Sequence, residues 1–331
     1  MSNEHIQNGV GNGPVSNAIA SGVNLQEFRT NASLPKDAWE YIDSAIVRVA
    51  RQELVGINDI RAIQGGVIPF NGLGASLFTM NRVDGLSPAV MAETPDVRGE
   101  SDTLAFDTIG TPLPITVKDF PINIKRAAMA RRDGVPYESI ISDEALYQVM
   151  HKLEDHLFNG IYTAGGSTAY GYTTFPKRQE KTLTASWATA QPDEIFSDLN
   201  AMVTKSMEHY HYGPWILYIP WQYYSRLNED YHIGAVDFPS GIIRNRLLEI
   251  PGLSAIKTSR FLANDNVVLV EMTTRNVRLI DGITPTVVDW TMAASPNWTH
   301  NFKAMAMWVP FFITNLGSSG NELSGIIHGH L

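Results

Sequence analysis

Residues 115–160 read ITVKDFPINIKRAAMARRDGVPYESIISDEALYQVMHKLEDHLFNG, and this stretch decides the fold. It predicts an extended strand, a short basic helix, a turn and a long amphipathic helix. We expect the long helix to begin at Ser142, a favourable N-cap, and to end at Gly160, which permits a left-handed stop. Glu154 and Asp155 are expected mostly on its polar faces. Its apolar stripe recurs at helical spacing: Leu146, Val149, Met150, Leu153 and Leu157.

A second helix is predicted upstream, from Leu34 to about Leu54, with Trp39 in its buried stripe. Together with the strand, short helix and long helix of residues 115–160, it resembles the Hong Kong-97-like capsid fold, and within that fold the encapsulin branch. The resemblance covers roughly residues 34–316 and depends on the order of elements. It implies an α+β protein with an N-arm, an extended loop, a peripheral domain with a long spine helix, and an apical domain.

The resemblance divides the chain into five parts. They are an N-terminal arm and helix (1–57), an extended loop (58–117), a peripheral domain with the spine helix (118–160), an apical domain (161–282), and a return to the peripheral domain with a C-terminal tail (283–331). Periodicity and turn residues predict the elements of the later parts. The predicted helices are 192–208, 221–228 and 242–249, and the predicted strands are 215–220, 253–258, 266–272, 277–280 and 302–314.

Two segments are predicted to need a second surface. Residues 1–33 are rich in Asn, Gly and Ser, so they are either a disordered leader or an arm that orders against neighbouring subunits. Residues 67–115 predict two long strands joined by a polar tip from Glu93 to Asp102. Because an isolated two-stranded ribbon is marginally stable, it must pack either on its own domain or across an adjacent subunit.

Composition excludes several classes of protein. The net charge of −9 excludes a dedicated nucleic-acid-binding module, although a container does not need to bind each phosphate of its contents. The chain has no cysteine, which excludes disulfides, cysteine nucleophiles and cysteine zinc sites. No apolar run is long enough to span a bilayer, and the N-terminus does not resemble a signal peptide. We therefore expect no membrane partner.

The sequence predicts no catalytic, cofactor-binding or metal-binding residues. His151 and His156 are five apart, whereas a helical metal pair needs a spacing of four. His209 and His211 close a helix, and His328-Gly329-His330 is expected in a flexible tail. No dinucleotide fingerprint, phosphate loop or nucleophile elbow is present.

Charge instead predicts contacts between subunits. The basic face of the short helix is expected to pair with the acidic tip of a neighbour's extended loop, and the alternative is a basic face in contact with water only. The predicted contact residues are Trp39, Glu93, Arg98, Glu100, Asp102, Arg126, Arg131 and Arg132.

The resemblance implies a bacteriophage major capsid protein, not an enzyme, that self-assembles from pentamers and hexamers into an icosahedral shell around double-stranded DNA. It implies no sequence-specific DNA contacts, possible scaffolding, portal and decoration partners, assembly in the host cytoplasm, and a location in the virion. One alternative is an encapsulin nanocompartment that packages a cargo enzyme. Another is a soluble α+β enzyme whose pocket is lined by Trp215, Trp221, Tyr223 and Tyr224.

Overall fold

The computed structural model describes residues 54–83, 106–132, 137–162, 166–233, 236–290, 299–316 and 322–331. The predicted helix with Trp39 and the predicted tip from Glu93 to Asp102 lie outside these residues. The helices are α1 Gly56–Ala62, α2 Ile124–Arg132, α3 Tyr137–Asn159, α4 Pro192–Glu208, α5 Tyr223–Leu227 and α6 Ile243–Leu248. None of the described helices is long and apolar enough to cross a membrane.

The strands form two larger sheets and several two-stranded pairs. They are β1 Val67–Pro69, β2 Leu77–Val83, β3 Phe106–Pro112, β4 Thr116–Asn123, β5 Ile161–Tyr162, β6 Thr168–Ala169, β7 Gln179–Thr182, β8 Trp215–Pro220, β9 Asp230–Ile233, β10 Val236–Ile242, β11 Leu253–Ser259, β12 Asn266–Glu271, β13 Val277–Trp290, β14 Thr299–Phe312, β15 Asn315–Leu316, β16 Glu322–Leu323 and β17 Ile326–His330.

The four-stranded sheet has the order β1-β13-β14-β4 and packs against α3, the spine helix. Strand β13 is longer than the predicted strand 277–280, because it continues to Trp290 through two register shifts beside β14. Phe120 of β4 and Phe302 of β14 stack with ring centroids 5.4 Å apart, and both belong to the core shared with the spine helix. The sheet joins strands from four of the predicted parts of the chain, and the division into those parts stays a prediction.

The spine helix corrects two predictions. It begins at Tyr137, and Ser142 lies inside it with its hydroxyl donating to the Glu138 carbonyl oxygen at 2.7 Å. A serine can bond to a carbonyl one turn earlier, so it does not have to be a cap. Glu154, expected on a polar face, is buried with 1% of its surface exposed.

The five-stranded sheet has the order β11-β8-β12-β17-β7, and α4 packs on it. The predictions of β8 and α4 are confirmed at both ends of each element, and α5, α6, β11 and β12 lie within two residues of their predicted bounds. The prediction of a C-terminal tail is wrong for residues 326–330, because β17 pairs antiparallel with β12 and parallel with β7. His328 is therefore buried inside this sheet rather than in the peripheral domain or a tail.

Strands β2 and β3 pair antiparallel from Leu77↔Pro112 to Val83↔Phe106, and we call this pair the ribbon. Two paired strands were predicted within residues 67–115, and the ribbon supplies them; the assignment of residues 58–117 as an extended loop stays a prediction. One long strand was predicted to begin near residue 67, but the structure has two strands there. The first, β1, pairs with β13 in the four-stranded sheet, and the second, β2, belongs to the ribbon.

Candidate functional site

Helix α1 lies where the spine helix and both larger sheets meet, and we call it the junction helix. Its N-terminus has no side-chain cap of its own. Instead, the backbone N–H groups of Val55, Gly56 and Ile57 donate to the Glu154 carboxylate at 3.1, 2.5 and 3.2 Å. A carboxylate is the favoured group at a helix N-terminus, so the spine helix supplies the missing cap.

Gly56 allows this close approach. A Cβ atom at Gly56 would lie 2.7 Å from the Leu157 Cδ2 atom and 3.2 Å from the Glu154 Oε1 atom. The first distance is shorter than any ordinary carbon–carbon contact. The absence of a side chain therefore lets the junction helix lie directly on the end of the spine helix.

The remainder of the junction helix contacts the two sheets. The Tyr218 hydroxyl of β8 donates to Asp59 Oδ2 at 2.7 Å, and Lys257 of β11 donates to Asp59 Oδ1. At the other end, the Arg61 guanidinium lies 4.7 Å from the ring centroid of Trp308 in β14. One short helix thus connects the spine helix, the five-stranded sheet and the four-stranded sheet.

Burial dominates the electrostatics of this junction. It raises the pKa of Glu154 from 4.5 to about 7, opposed by the three backbone N–H groups and reinforced by the charge of Asp59. Burial likewise raises the pKa of Tyr172 and Tyr218 well above the usual value. Two residues further along the spine helix, burial lowers the pKa of His156 to about 4.

The ribbon leaves the body from a small apolar cluster, which we call the ribbon root. Phe78 of β2 is 8% exposed, and its ring makes edge contacts with Phe70 at 5.3 Å and Phe311 at 5.4 Å. Leu113 and Met307 complete this side of the cluster. The ribbon is thus held at its base on the four-stranded sheet of its own chain.

The predicted contact residues are only partly described. Arg126 and Arg132 lie exposed on α2, and Arg131 lies between them in the same helix. Trp39, Glu93, Arg98, Glu100 and Asp102 lie outside the described residues, so the pairing of the basic helix with an acidic tip stays a prediction.

Glu154 is the residue that the sequence interpretation missed. It lies four residues after Met150 and three before Leu157, both of which are in the apolar stripe. Helical spacing therefore places its carboxylate on the buried face, and this was the available signal.

The aromatic pocket of the enzyme alternative does not form as expected. Trp215 and Tyr223 are core residues, whereas Trp221 is 61% exposed. Tyr224 lines a cavity of about 220 Å³ whose described lining contains no histidine or carboxylate: Val55, Ile219, Tyr224, Leu227, Asn228, Arg244, Ile256, Lys257 and Thr258.

Two buried histidines have polar side-chain partners. His211 Nδ1 lies 2.5 Å from Glu271 Oε2 in a buried pair, and His328 Nε2 lies 2.7 Å from Asn266 Oδ1. Across the described part of the chain, no three His, Cys, Asp or Glu side chains are grouped so as to hold a metal ion.

Comparison with known proteins gives a family and a fold. The model of a family of unknown function, DUF6260, matches residues 28–314. No curated protein matches the sequence.

Three solved structures with the same fold come from particles. A virus-like particle from Pyrococcus furiosus matches with 15% identity and a TM-score of 0.61, covering 88% of this chain and 99% of that chain. The capsid of Myoviridae phage XM1 matches with 10% identity and a TM-score of 0.62, covering 84% and 93%. The capsid of a native GTA particle matches with 10% identity and a TM-score of 0.57, covering 84% and 91%. The chain therefore has the Hong Kong-97-like capsid fold, which confirms the predicted fold class.

Proposed function

We propose that this chain, which belongs to the family of unknown function DUF6260, is a major capsid protein that self-assembles into an icosahedral shell around phage double-stranded DNA. The observation that carries the proposal is the shared fold with particle-forming chains over more than four fifths of this chain. A chain of this kind acts mechanically, and we propose no catalytic role for it.

The ribbon supports assembly as the mechanism. Its root is packed on the chain's own body, but Leu77 is 49% exposed, and Thr79 and Asn81 are also exposed. A two-stranded ribbon gains stability when a further surface covers it. In the proposed shell that surface belongs to a neighbouring copy, within pentamers and hexamers. The free energies of weak contacts between copies add up when the contacts repeat throughout a closed shell.

The predicted charge contacts belong to the same proposal. Arg126, Arg131 and Arg132 of α2 would face the segment from Glu93 to Asp102 of a neighbour, and Trp39 would pack at the base of the N-arm. Each exposed pair contributes about 0–1 kcal/mol, so their effect depends on many symmetric copies.

A first experiment tests assembly itself. The full-length chain is expressed in a heterologous host, and its products are separated by size-exclusion chromatography and imaged by electron microscopy. We expect very large particles or loose capsomers. A small, stable monomer or dimer that never forms a larger assembly would overturn the proposal. Uniform closed particles from this chain alone would remove the need for a scaffolding partner.

A second experiment identifies what the particles enclose. Particles purified from cells that produce them naturally are treated with nuclease, and the protected contents are analysed. We expect protected double-stranded DNA of one length, and the proposal also places portal and decoration proteins with those particles after assembly in the host cytoplasm.

A container for a cargo protein is the second candidate. It follows from the resemblance to the encapsulin branch, and the fold match to a virus-like particle from Pyrococcus furiosus, which covers 99% of that chain, accords with it. Particles that hold one enzyme and no protected DNA would support this candidate over the first.

A further inference from the structure

We propose that the cavity beside Tyr224 is a binding site for a small organic anion, a carboxylate attached to a compact apolar body. We call it the edge cavity, because it lies beside β11, an edge strand of the five-stranded sheet. The site goes beyond the proposed function, because its described lining comes from one chain and does not need a shell.

The buried part of the edge cavity is apolar. It is formed by Ile219 at the end of β8, Leu227 of α5 and Ile256 of β11, which are 1%, 2% and 5% exposed. All three side chains belong to the core cluster that α4 shares with the five-stranded sheet. Because this core holds them in place, the cavity floor is already formed before a ligand arrives.

One cation of the lining is left without a counter-charge. Arg244 of α6 donates from Nη2 to the Ile256 carbonyl oxygen at 3.2 Å, which holds its guanidinium group against β11. Among the described residues, no carboxylate pairs with Arg244, and its remaining N–H donors have no partner. Lys257, the second cation of the lining, is paired with Asp59 of the junction helix. The described lining therefore has an excess of positive charge at Arg244.

Uncharged polar side chains surround the same floor. Tyr224, Asn228 and Thr258 line the cavity together with Arg244. Asn228 directs its amide N–H to the Tyr224 carbonyl oxygen at 2.9 Å, within its own helical turn. The hydroxyl groups of Tyr224 and Thr258 have no hydrogen-bond partner within the described chain, and a hydroxyl group can donate to a carboxylate.

Charge complementarity selects an anion. The edge cavity presents an unpaired guanidinium group in a chain whose net charge is −9. A guanidinium group with free donors binds a carboxylate through paired, charge-assisted hydrogen bonds. The described lining contains no carboxylate that would repel such a ligand.

Size decides the rest of the ligand. The cavity volume is about 220 Å³. Benzene occupies an apolar cavity of about 150 Å³, whereas drug-sized ligands occupy pockets of roughly 300–1,000 Å³. The edge cavity is therefore too small for a nucleotide, and it suits an aryl or alkyl carboxylate of about ten non-hydrogen atoms. An anion without an apolar body would leave the floor uncovered.

Ligand-detected NMR titrations with the full-length chain test the site. The probes are 3-phenylpropanoate, its neutral amide 3-phenylpropanamide, and acetate. We expect 3-phenylpropanoate to bind about tenfold or more tightly than either of the others. The amide lacks the charge that Arg244 recognises, and acetate lacks the body that covers the apolar floor.

A first pair of variants tests the charge. Arg244→Gln removes the guanidinium group but keeps an amide that can donate to the Ile256 carbonyl oxygen. Its affinity for 3-phenylpropanoate should fall about tenfold, while its affinity for the amide probe stays unchanged. Arg246→Gln is the matched control, because Arg246 lies in the same helix, pairs with Glu249 and does not line the cavity.

A second pair of variants tests the location. Tyr224→Ala removes an aromatic wall of the cavity, so it should weaken binding of 3-phenylpropanoate and of its amide alike, by about threefold or more. Trp221→Ala is the matched control, because Trp221 is 61% exposed one turn earlier and does not line the cavity. It should change neither affinity.

The outcomes separate this site from the proposed shell. Equal affinities for 3-phenylpropanoate and its amide would overturn the anion site, and so would an affinity that Arg244→Gln does not change. If Arg244→Gln does not fold, equal affinities of Tyr224→Ala and Trp221→Ala for 3-phenylpropanoate overturn it. The titrations are made on whichever soluble form the chain takes, so a failure to form particles contradicts the proposed function and leaves the binding result intact.

Discussion

The five-stranded sheet and the ribbon are both built from β-strands, but they obtain their stability in different ways. Val267, Val268, Leu269 and Val270 of β12 are all 0% exposed, so this strand is covered on both faces within one chain. Along the ribbon, Phe78 is 8% exposed and the preceding Leu77 is 49% exposed, so only one face is covered. The sheet completes its own packing, whereas the ribbon is completed only at its root. The comparison teaches that a single chain contains a self-sufficient body and an appendage whose free face suits a partner.

The largest expected effect is in the self-sufficient body. Trp215 is fully buried and donates from Nε1 to the Ser206 hydroxyl at 3.0 Å, so Trp215→Ala should lower the free energy of unfolding by about 3–5 kcal/mol. Urea unfolding followed by circular dichroism measures this. Trp221→Ala is the matched control, because Trp221 is 61% exposed and its loss should change stability by about 0.5 kcal/mol or less. Equal costs for the two variants would contradict the assignment of the core.

The next largest expected effect is on the pH dependence of the free energy of unfolding, and it comes from two buried residues near the end of the spine helix. Because the pKa of Glu154 is raised from 4.5 to about 7, its contribution to stability is full below pH 4.5 and is lost as pH rises through 7. Because the pKa of His156 is lowered from 6.5 to about 4, its contribution is full above pH 6.5 and is lost as pH falls through 4. Each contribution amounts to roughly 3 kcal/mol, and the two oppose each other.

Single variants should separate these opposed contributions. In Glu154→Gln, stability should rise with pH between about 4 and about 6.5, and in His156→Gln it should fall between about 4.5 and about 7. Denaturant titrations at a series of pH values give the slopes. Identical slopes in the two variants would show that neither group titrates as its burial requires.

Loss of a side chain from the ribbon root should destabilise the ribbon and leave the rest of the chain unchanged. Phe78→Ala removes the ring that packs on Phe70 and Phe311, and we expect a cost of about 2–3 kcal/mol, confined mainly to the ribbon. Hydrogen exchange should accelerate in residues 77–83 and 106–112 but not in residues 266–271. Leu77→Ala, on the exposed face, should leave exchange of the isolated chain unchanged and weaken only assembly. Acceleration throughout the five-stranded sheet would show that the two regions are not independent.

The smallest effect is expected from the charged face of α2. Arg126→Glu should raise the protein concentration needed for assembly by a few-fold at low salt and much less at high salt, because each exposed contact contributes about 0–1 kcal/mol. Light scattering measures the assembly threshold. Combining Arg126→Glu with Glu93→Arg should restore part of the loss if these two residues meet between subunits. A threshold that Arg126→Glu does not change at any salt concentration would leave α2 as a solvated face.

Local sequence signals predicted the elements that are bounded by turn residues. Gly213-Pro214 and Pro220 delimit β8, and Gln191-Pro192 opens α4 with a capping box, so both were predicted at their correct bounds. The order of such elements was sufficient to indicate the fold class.

Ser142 was misassigned on a local signal, because its hydroxyl donates to the Glu138 carbonyl oxygen one turn earlier instead of capping the helix. The other failures occurred where a distant partner decides the outcome. Helical spacing places Glu154 on the buried face, but the helix that its carboxylate caps lies almost 100 residues earlier. The strand Ile326–His330 has few local strand signals, and it forms because β12 and β7 present free edges on either side of it. The contacts of Glu154 and of this strand are ones that a local window of sequence does not contain.

The position of β17 has a consequence for the order of events during synthesis. The ribosome produces Gln179–Thr182 almost 150 residues before Ile327, the residue that pairs with Gln179. Until residues 326–330 emerge, the neighbouring edges of β7 and β12 present unpaired backbone groups, and such edges promote mispairing between nascent chains. Closure of this sheet is therefore a late, long-range step, and it delays the appearance of chains with a finished surface. In the proposed shell, that delay would place the folding of each copy before its association with others.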